Sequence, residues 1–245
     1  MHGKTAMDRK TVLITGANGG IGLAAAKLFL GKGFFVFAHY NRSSENLKVI
    51  NSDRLNLIQG DLFYPENART VFERCVREDG GIDVLVNNAG TFAVAERIED
   101  IQQKEFDYVM AVNLTAPFIL SQLAMEHMKK RNFGRIINIS SISVKYGGNP
   151  KSAPYTISKS ALETMTVLFA KAGAPFNVLV NAIRVGVTDT KFHELNLRKD
   201  LTKRIDLIPL KRPAEPHEIA HTIYYLAAEN SSFITGSILT AAGGE

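Results

Sequence analysis

Cysteine is nearly absent from this chain: Cys75 is the only one among 245 residues. A lone thiol closes no internal disulfide, which excludes the stapled secreted folds. No uninterrupted apolar run reaches the roughly 18 residues that mark a membrane-crossing helix. Residues 1–10 are short and polar and lack the apolar centre of a signal peptide. Cys75 and the six histidines show no metal-ligand spacing, so core or surface roles are expected for all seven. Repeats, low-complexity tracts and Pro/Gly linkers are missing too, and nothing divides the chain. These absences leave a soluble, cytoplasmic protein with one domain over 1–245 and a flexible start at 1–10.

What is present suits a sizeable core. Hydrophobic side chains make up 45% of the chain and charged ones 22%. A net charge of +5 favours anionic ligands such as phosphorylated cofactors. The largest basic cluster, Lys129, Lys130 and Arg131, reads equally as a solvated helix end or a docking patch. No nucleic-acid-binding motif accompanies it.

Short apolar runs predict strands at 11–15, 34–38, 56–59, 82–86, 135–139, 178–183 and 238–241. Helical patterns fall at 21–30, 106–130, 155–172 and 215–228. Strands that are apolar throughout, not in alternation, imply burial on both faces, as in a parallel sheet covered by helices. Repeated strand-then-helix order gives the fold class: α/β, one doubly wound Rossmann-type parallel sheet of about seven strands with helices on both faces. The charged stretch at 188–212 reads as a lid beside the substrate.

A glycine-rich turn joins the first strand to the first helix: Gly16, Asn18, Gly19, Gly20, Ile21 and Gly22 lie in it. Glycine there lets backbone N–H groups approach a pyrophosphate, whose charge the helix N-terminus favours. The Gly-x-x-x-Gly-x-Gly spacing resembles that of the short-chain dehydrogenase/reductase family. Asn87-Asn88-Ala89-Gly90, Asn113, the pair Tyr155 and Lys159, Asn181 through Gly186, and the ending Gly236 to Gly243-Gly244 resemble the same family.

Cofactor choice is read after the second strand. An acid usual for NAD is absent there, and His39-Tyr40-Asn41-Arg42-Ser43 stands in its place. Arg42 suits a 2′-phosphate, with Asn41 beside it and Ser43 able to donate, so NADP(H) is favoured over NAD(H). Arg42 also reads as a plain exposed loop cation, and the second basic residue of many NADP-binding relatives is Gly19 here. The resemblance implies that Asp61, with Leu62, meets the adenine ring. It also implies that Asn87, Ala89 and Gly90 line the cofactor, although bracing by Asn87 explains that residue equally well.

Tyr155 and Lys159 are four apart and share one helix face. A nearby ammonium is expected to lower the tyrosine pKa, so that Tyr155 exchanges a proton with a carbonyl oxygen. The resemblance gives Lys159 a second task on the nicotinamide ribose. It selects Ser141 to polarise the carbonyl, with Ser143 as rival and Ser140 pointing into the sheet. It gives Asn113 a water linking Lys159 to solvent; a helix kink satisfied by its own side chain is the other reading. Gly186, Val187, Thr188 and Thr190 would meet the carboxamide, with Val185 replacing the family's proline. No metal is implied.

The whole pattern looks most like 3-oxoacyl-[acyl-carrier-protein] reductases, and fatty acid biosynthesis would follow. The same features occur in sugar, steroid and other carbonyl reductases, so a small-molecule ketone or alcohol stands as the alternative to an acyl thioester. An acidic acyl carrier protein would land on Lys129, Lys130, Arg131 and Arg135. A nucleotide-sensing regulator or scaffold is a third reading, against which all four catalytic positions are filled. The resemblance further implies a homotetramer or dimer, without nucleic-acid or membrane partners.

Overall fold

The computed structural model describes residues 10–190 and 202–245. The start at 1–9 and the middle of the expected lid, 191–201, lie outside the described residues. Seven strands form one parallel sheet: β1 (Thr11–Ile14), β2 (Phe35–Tyr40), β3 (Leu55–Gln59), β4 (Val84–Asn87), β5 (Gly134–Ser141), β6 (Val178–Val185) and β7 (Ile238–Ala241). Their order is β3-β2-β1-β4-β5-β6-β7, every neighbouring pair parallel. The expected doubly wound α/β sheet is therefore the observed one.

The helices are α1 (Gly20–Gly31), α2 (Glu45–Lys48), α3 (Pro65–Asp79), α4 (Gln103–Met110), α5 (Ala116–Arg131), α6 (Ser143–Tyr146), α7 (Ala153–Gly173), α8 (Thr202–Ile205) and α9 (Pro216–Ala227). Successive strand residues serve opposite faces. Val12, Ile14, Val84 and Val86 join a core with Ala25 and Phe29 of α1 and Ile219 and Ile223 of α9. Leu13 and Leu85 point the other way, into a second core with Phe72 of α3, Leu120 of α5 and Ala170 of α7.

Two differences from the sequence reading have clear causes. Helix α3 was not expected, because its surface is almost all charged. Its buried residues, Ala68, Val71, Phe72 and Cys75, nevertheless fall at helical spacing, Pro65 starts it and Gly80 (φ 70°) ends it. The single helix expected at 106–130 is instead α4, one π turn over Ala111–Thr115, and α5. Pro117 cannot donate the i→i−4 hydrogen bond that would close on Asn113, and the chain widens there. By length and apolar content the continuous run Gln103–Arg131 would suffice to cross a membrane. Polar residues interrupt it, and more than half of its apolar window is buried inside the fold.

Candidate active site

A cavity of about 930 Å³ opens at the carboxyl ends of the strands, beside the β1/β4 boundary where strand order reverses. Gly16, Gly19, Gly20 and Ile21 form its floor. Gly16 has φ 66°, and a Cβ there would stand 2.9 Å from Ala89 Cα, so only glycine fits. Gly19 is the N-cap of α1 with no side-chain cap, and no acid lies in the first turn. The first N–H groups of α1 are thus left for an anion, as a dinucleotide pyrophosphate requires. Gly22 is buried under the loop and reaches no cavity surface; it permits close packing of α1 against Gly16 and Asn88.

His39, which the sequence reading quoted without a role, holds this loop. It is 1% exposed, its Nδ1 accepts from the Gly16 N–H at 3.2 Å, and its Nε2 lies 2.9 Å from the Gly60 carbonyl. Burial pushes its pKa down to about 4. Asn41, Asp61 and Leu62 also line the cavity. Arg42 and Ser43 sit just beyond its edge, exposed, and Arg42 has no side-chain partner among the described residues. Asn18 does not line the cavity. Its Oδ1 accepts from the Asn46 N–H at 3.1 Å and its carbonyl from Asn46 Nδ2 at 2.8 Å, tying the glycine loop to α2.

On the opposite wall, Tyr155 is hydrogen-bonded to Ser141, and Lys159 Nζ lies 5.8 Å from the Tyr155 ring centroid. Lys159 is 3% exposed, and its ammonium donates to the Ile139 carbonyl at 2.7 Å. Burial lowers its pKa to about 8. The expected lowering of Tyr155 is not what the structure gives: burial raises the phenol, and the Ser141 hydrogen bond opposes that rise. The ammonium directs one of its three N–H donors to the Ile139 carbonyl, and burial dominates at the phenol. Ser140 also lines the cavity, but its hydroxyl turns to α7 and donates to Glu163 Oε1 at 2.7 Å inside a Glu163–Arg184 ion pair.

Asn113 is completely buried in the π turn. Its Oδ1 accepts from Thr91 N–H at 2.8 Å, and its Nδ2 donates to Thr91 O at 2.8 Å and Ser158 Oγ at 3.0 Å. Its side chain thus clamps the loop after β4 to α7. Asn87 turns out to be the brace of the two readings: its Nδ2 donates to Ser121 Oγ and Asn138 Oδ1, and it does not reach the cavity. The next residue, Asn88, lines the cavity instead, with Ala89 and Gly90. Gly186, Val187, Thr188 and Thr190 line it from the turn after β6. Val185 leaves that turn well held: its carbonyl accepts from Ile142 N–H, and the Gly186 N–H donates to Ala241 O at 3.0 Å.

The basic cluster lies elsewhere. α5 runs back across the sheet, so its end abuts the start of β5, at the edge opposite the cavity. β5 alone spans roughly 25 Å at about 3.3 Å per residue. Lys130 pairs with Glu126, Arg131 with Asp83, Lys129 sits over Phe176, and Arg135 is buried beneath Gly134 and Asn177 carbonyls. The expected carrier landing surface therefore lies away from this chain's own cavity.

Residues 16–245 match the family model described as enoyl-(acyl carrier protein) reductase. Among characterised relatives, a 3-oxoacyl-[acyl-carrier-protein] reductase FabG of Thermotoga maritima is 34% identical over 97% of this chain and 98% of its own. A 2-dehydro-3-deoxy-D-gluconate 5-dehydrogenase of Bacillus subtilis is also 34% identical, over 100% of this chain and 97% of its own. A solved structure titled short chain dehydrogenase/reductase family protein superimposes with a TM-score of 0.86 at 28% identity, covering 98% of both chains.

Proposed function

This chain belongs to the short-chain dehydrogenase/reductase family, oxidoreductases of CH–OH and ketone substrates, and we propose that it uses NADP(H) and exchanges the proton through Tyr155. The nicotinamide nucleotide supplies the hydride when bound. Gly16, Gly19, Gly20 and the α1 N-terminus hold the pyrophosphate. Arg42 faces the 2′-phosphate, Asp61 and Leu62 take the adenine end, and Ala89 and Gly90 the ribose. Gly186, Val187, Thr188 and Thr190 close over the carboxamide end.

Tyr155 donates its proton to the carbonyl oxygen during reduction and removes it in the reverse direction. Ser141 hydrogen-bonds the same oxygen, and Lys159 stabilises charge on the phenol oxygen and holds the ribose hydroxyls. Asn113 keeps the Thr91 loop beside them. The observation that carries this reading is the Ser141–Tyr155 hydrogen bond with Lys159 one helical turn on, all in the wall of the cavity that the uncapped α1 enters.

The substrate is a small ketone or alcohol that enters the cavity directly, a class that includes the 3-oxoacyl group named for the FabG relatives. We infer a cytoplasmic homotetramer in which α5 and α7 pair, since Phe118, Ile157 and Leu168 on them are exposed. Light scattering reads the mass directly.

The test follows NADPH oxidation with ethyl acetoacetate for wild type and Tyr155→Phe. A general acid contributes about 10²–10⁴-fold, so the variant should fall by at least that factor while still binding NADPH. Retention of more than about a tenth of the rate removes the acid role. NADPH binding without turnover of any carbonyl would make the protein a nucleotide sensor.

A further inference from the structure

Two hydroxyls in the cavity wall have no partner among the described residues. Ser143 Oγ and Thr156 Oγ1 are both shielded from solvent, and neither finds a hydrogen bond among those residues. Both residues line the cavity that holds Ser141 and Tyr155. Thr156 is 7% exposed, and the cost of an unsatisfied buried hydroxyl is about 1–3 kcal/mol. Two such groups in the wall of the cavity that holds the reacting centre call for a partner.

Their positions are fixed by the chain. The Ser143 N–H donates to Ser141 Oγ at 3.2 Å, which places Ser143 directly beside the hydroxyl assigned to the reacting carbonyl. Thr156 follows Tyr155 on α7. Above it runs Gly147-Gly148, with φ of 75° and 71°; a side chain at Gly148 would collide with the Thr156 hydroxyl. Paired left-handed glycines give this cover a backbone that moves at low cost. A ligand reaching the Thr156 hydroxyl requires Gly148 to move aside.

We propose that Ser143 and Thr156 form a second polar subsite that binds an oxygen carried one or two carbons from the reacting carbonyl. The inference rests on the hydride-transfer reading above and adds the substrate class to it. Each hydroxyl both donates and accepts, so the shared chemistry is a neighbouring oxygen, either an ester or thioester carbonyl or an alcohol. Plain ketones leave both hydroxyls unpaired and bind less well.

The test compares ethyl acetoacetate, hydroxyacetone and butanone as substrates for wild type and the Ser143→Ala/Thr156→Val double variant. Wild type should favour at least one oxygenated ketone over butanone by about 10–100-fold in kcat/KM. The variant should bring that ratio within about threefold. Preference for ethyl acetoacetate identifies an acyl carbonyl as the partner, and preference for hydroxyacetone an alcohol. A wild-type ratio near one, or a ratio the variant leaves in place, overturns the subsite. Ligand-observed NMR on the NADP⁺-loaded protein, which has no hydride to give, provides a readout free of turnover, with the oxygenated ketone released by the double variant. Selective binding without turnover would overturn hydride transfer and keep the subsite; turnover without selectivity would do the reverse.

Discussion

Gly16 and His39 are joined by a hydrogen bond that settles the imidazole tautomer and the shape of the phosphate loop together. The Gly16 N–H donates to Nδ1, so the ring proton sits on Nε2 and is donated to the Gly60 carbonyl. Only the neutral ring does both, and burial holds its pKa near 4. A histidine pKa depressed by folding contributes stability above its unfolded value near 6.5, and that stability is lost as pH falls toward 4. Between pH 7 and 5 the loss from this residue should be about 2 kcal/mol. In urea unfolding, wild type should therefore lose more stability over that interval than His39→Asn or His39→Leu. Asparagine keeps an acceptor for Gly16 and should bind NADPH near wild-type strength; leucine should bind it about tenfold more weakly. Equal pH slopes in all three proteins would refute the assignment.

Arg42 separates the two cofactors. Its exposed guanidinium has no protein partner among the described residues, and no acid lies between His39 and Glu45. A charge-assisted bond to phosphate is worth about 1.5–3 kcal/mol, so Arg42→Ala should weaken NADPH by about tenfold or more and NADH by less than about threefold. Added salt should narrow the gap. Equal weakening of both nucleotides, measured by fluorescence titration, would make Arg42 a structural residue.

Lys159 sets an alkaline limit. Desolvation favours its neutral form and brings its pKa to about 8, so the ammonium is present below that pH and lost above it. The Tyr155 phenol is raised and remains protonated beyond that point. Reduction should therefore decline as pH rises through about 8, from loss of the cation and not of the acid. Lys159→Arg keeps its charge at all these values and should lose the limb even at a lower overall rate. A limb that persists in the arginine variant would transfer the titration to another group.

Much of this is legible in the sequence, because its signals are local. A glycine-rich turn after an apolar strand and a Tyr–Lys pair one helical turn apart need no tertiary knowledge. α3 escaped because four buried residues in fifteen leave a surface that looks solvated. The place of the basic cluster is a matter of topology: the end of a helix that returns across a parallel sheet lies at the edge away from the strand carboxyl ends. Asn87 and Asn88 are adjacent and of one type, and only the register of β4 decides which one faces the cavity. His39 carries no motif; its partners lie 23 and 21 residues away.

Asn113 offers the sharpest stability test. Its amide serves the Thr91 N–H, the Thr91 carbonyl and the Ser158 hydroxyl with no exposure to solvent. Alanine would leave all three short of a buried partner, at about 1–3 kcal/mol for each group and less than the sum for the set. A net loss near 3 kcal/mol corresponds to a fall in Tm of about 6–12 °C for a chain of this size. Asn113→Asp keeps the acceptor for the Thr91 N–H but sets a carboxylate against the Thr91 carbonyl, so it should not recover the loss. The clamp also fixes Gly90, whose Cβ position lies 3.6 Å from Lys159 Nζ, so NADPH affinity should fall together with Tm. An alanine variant that melts within about 2 °C of wild type would mean that the π turn is held by its backbone and Pro117 alone.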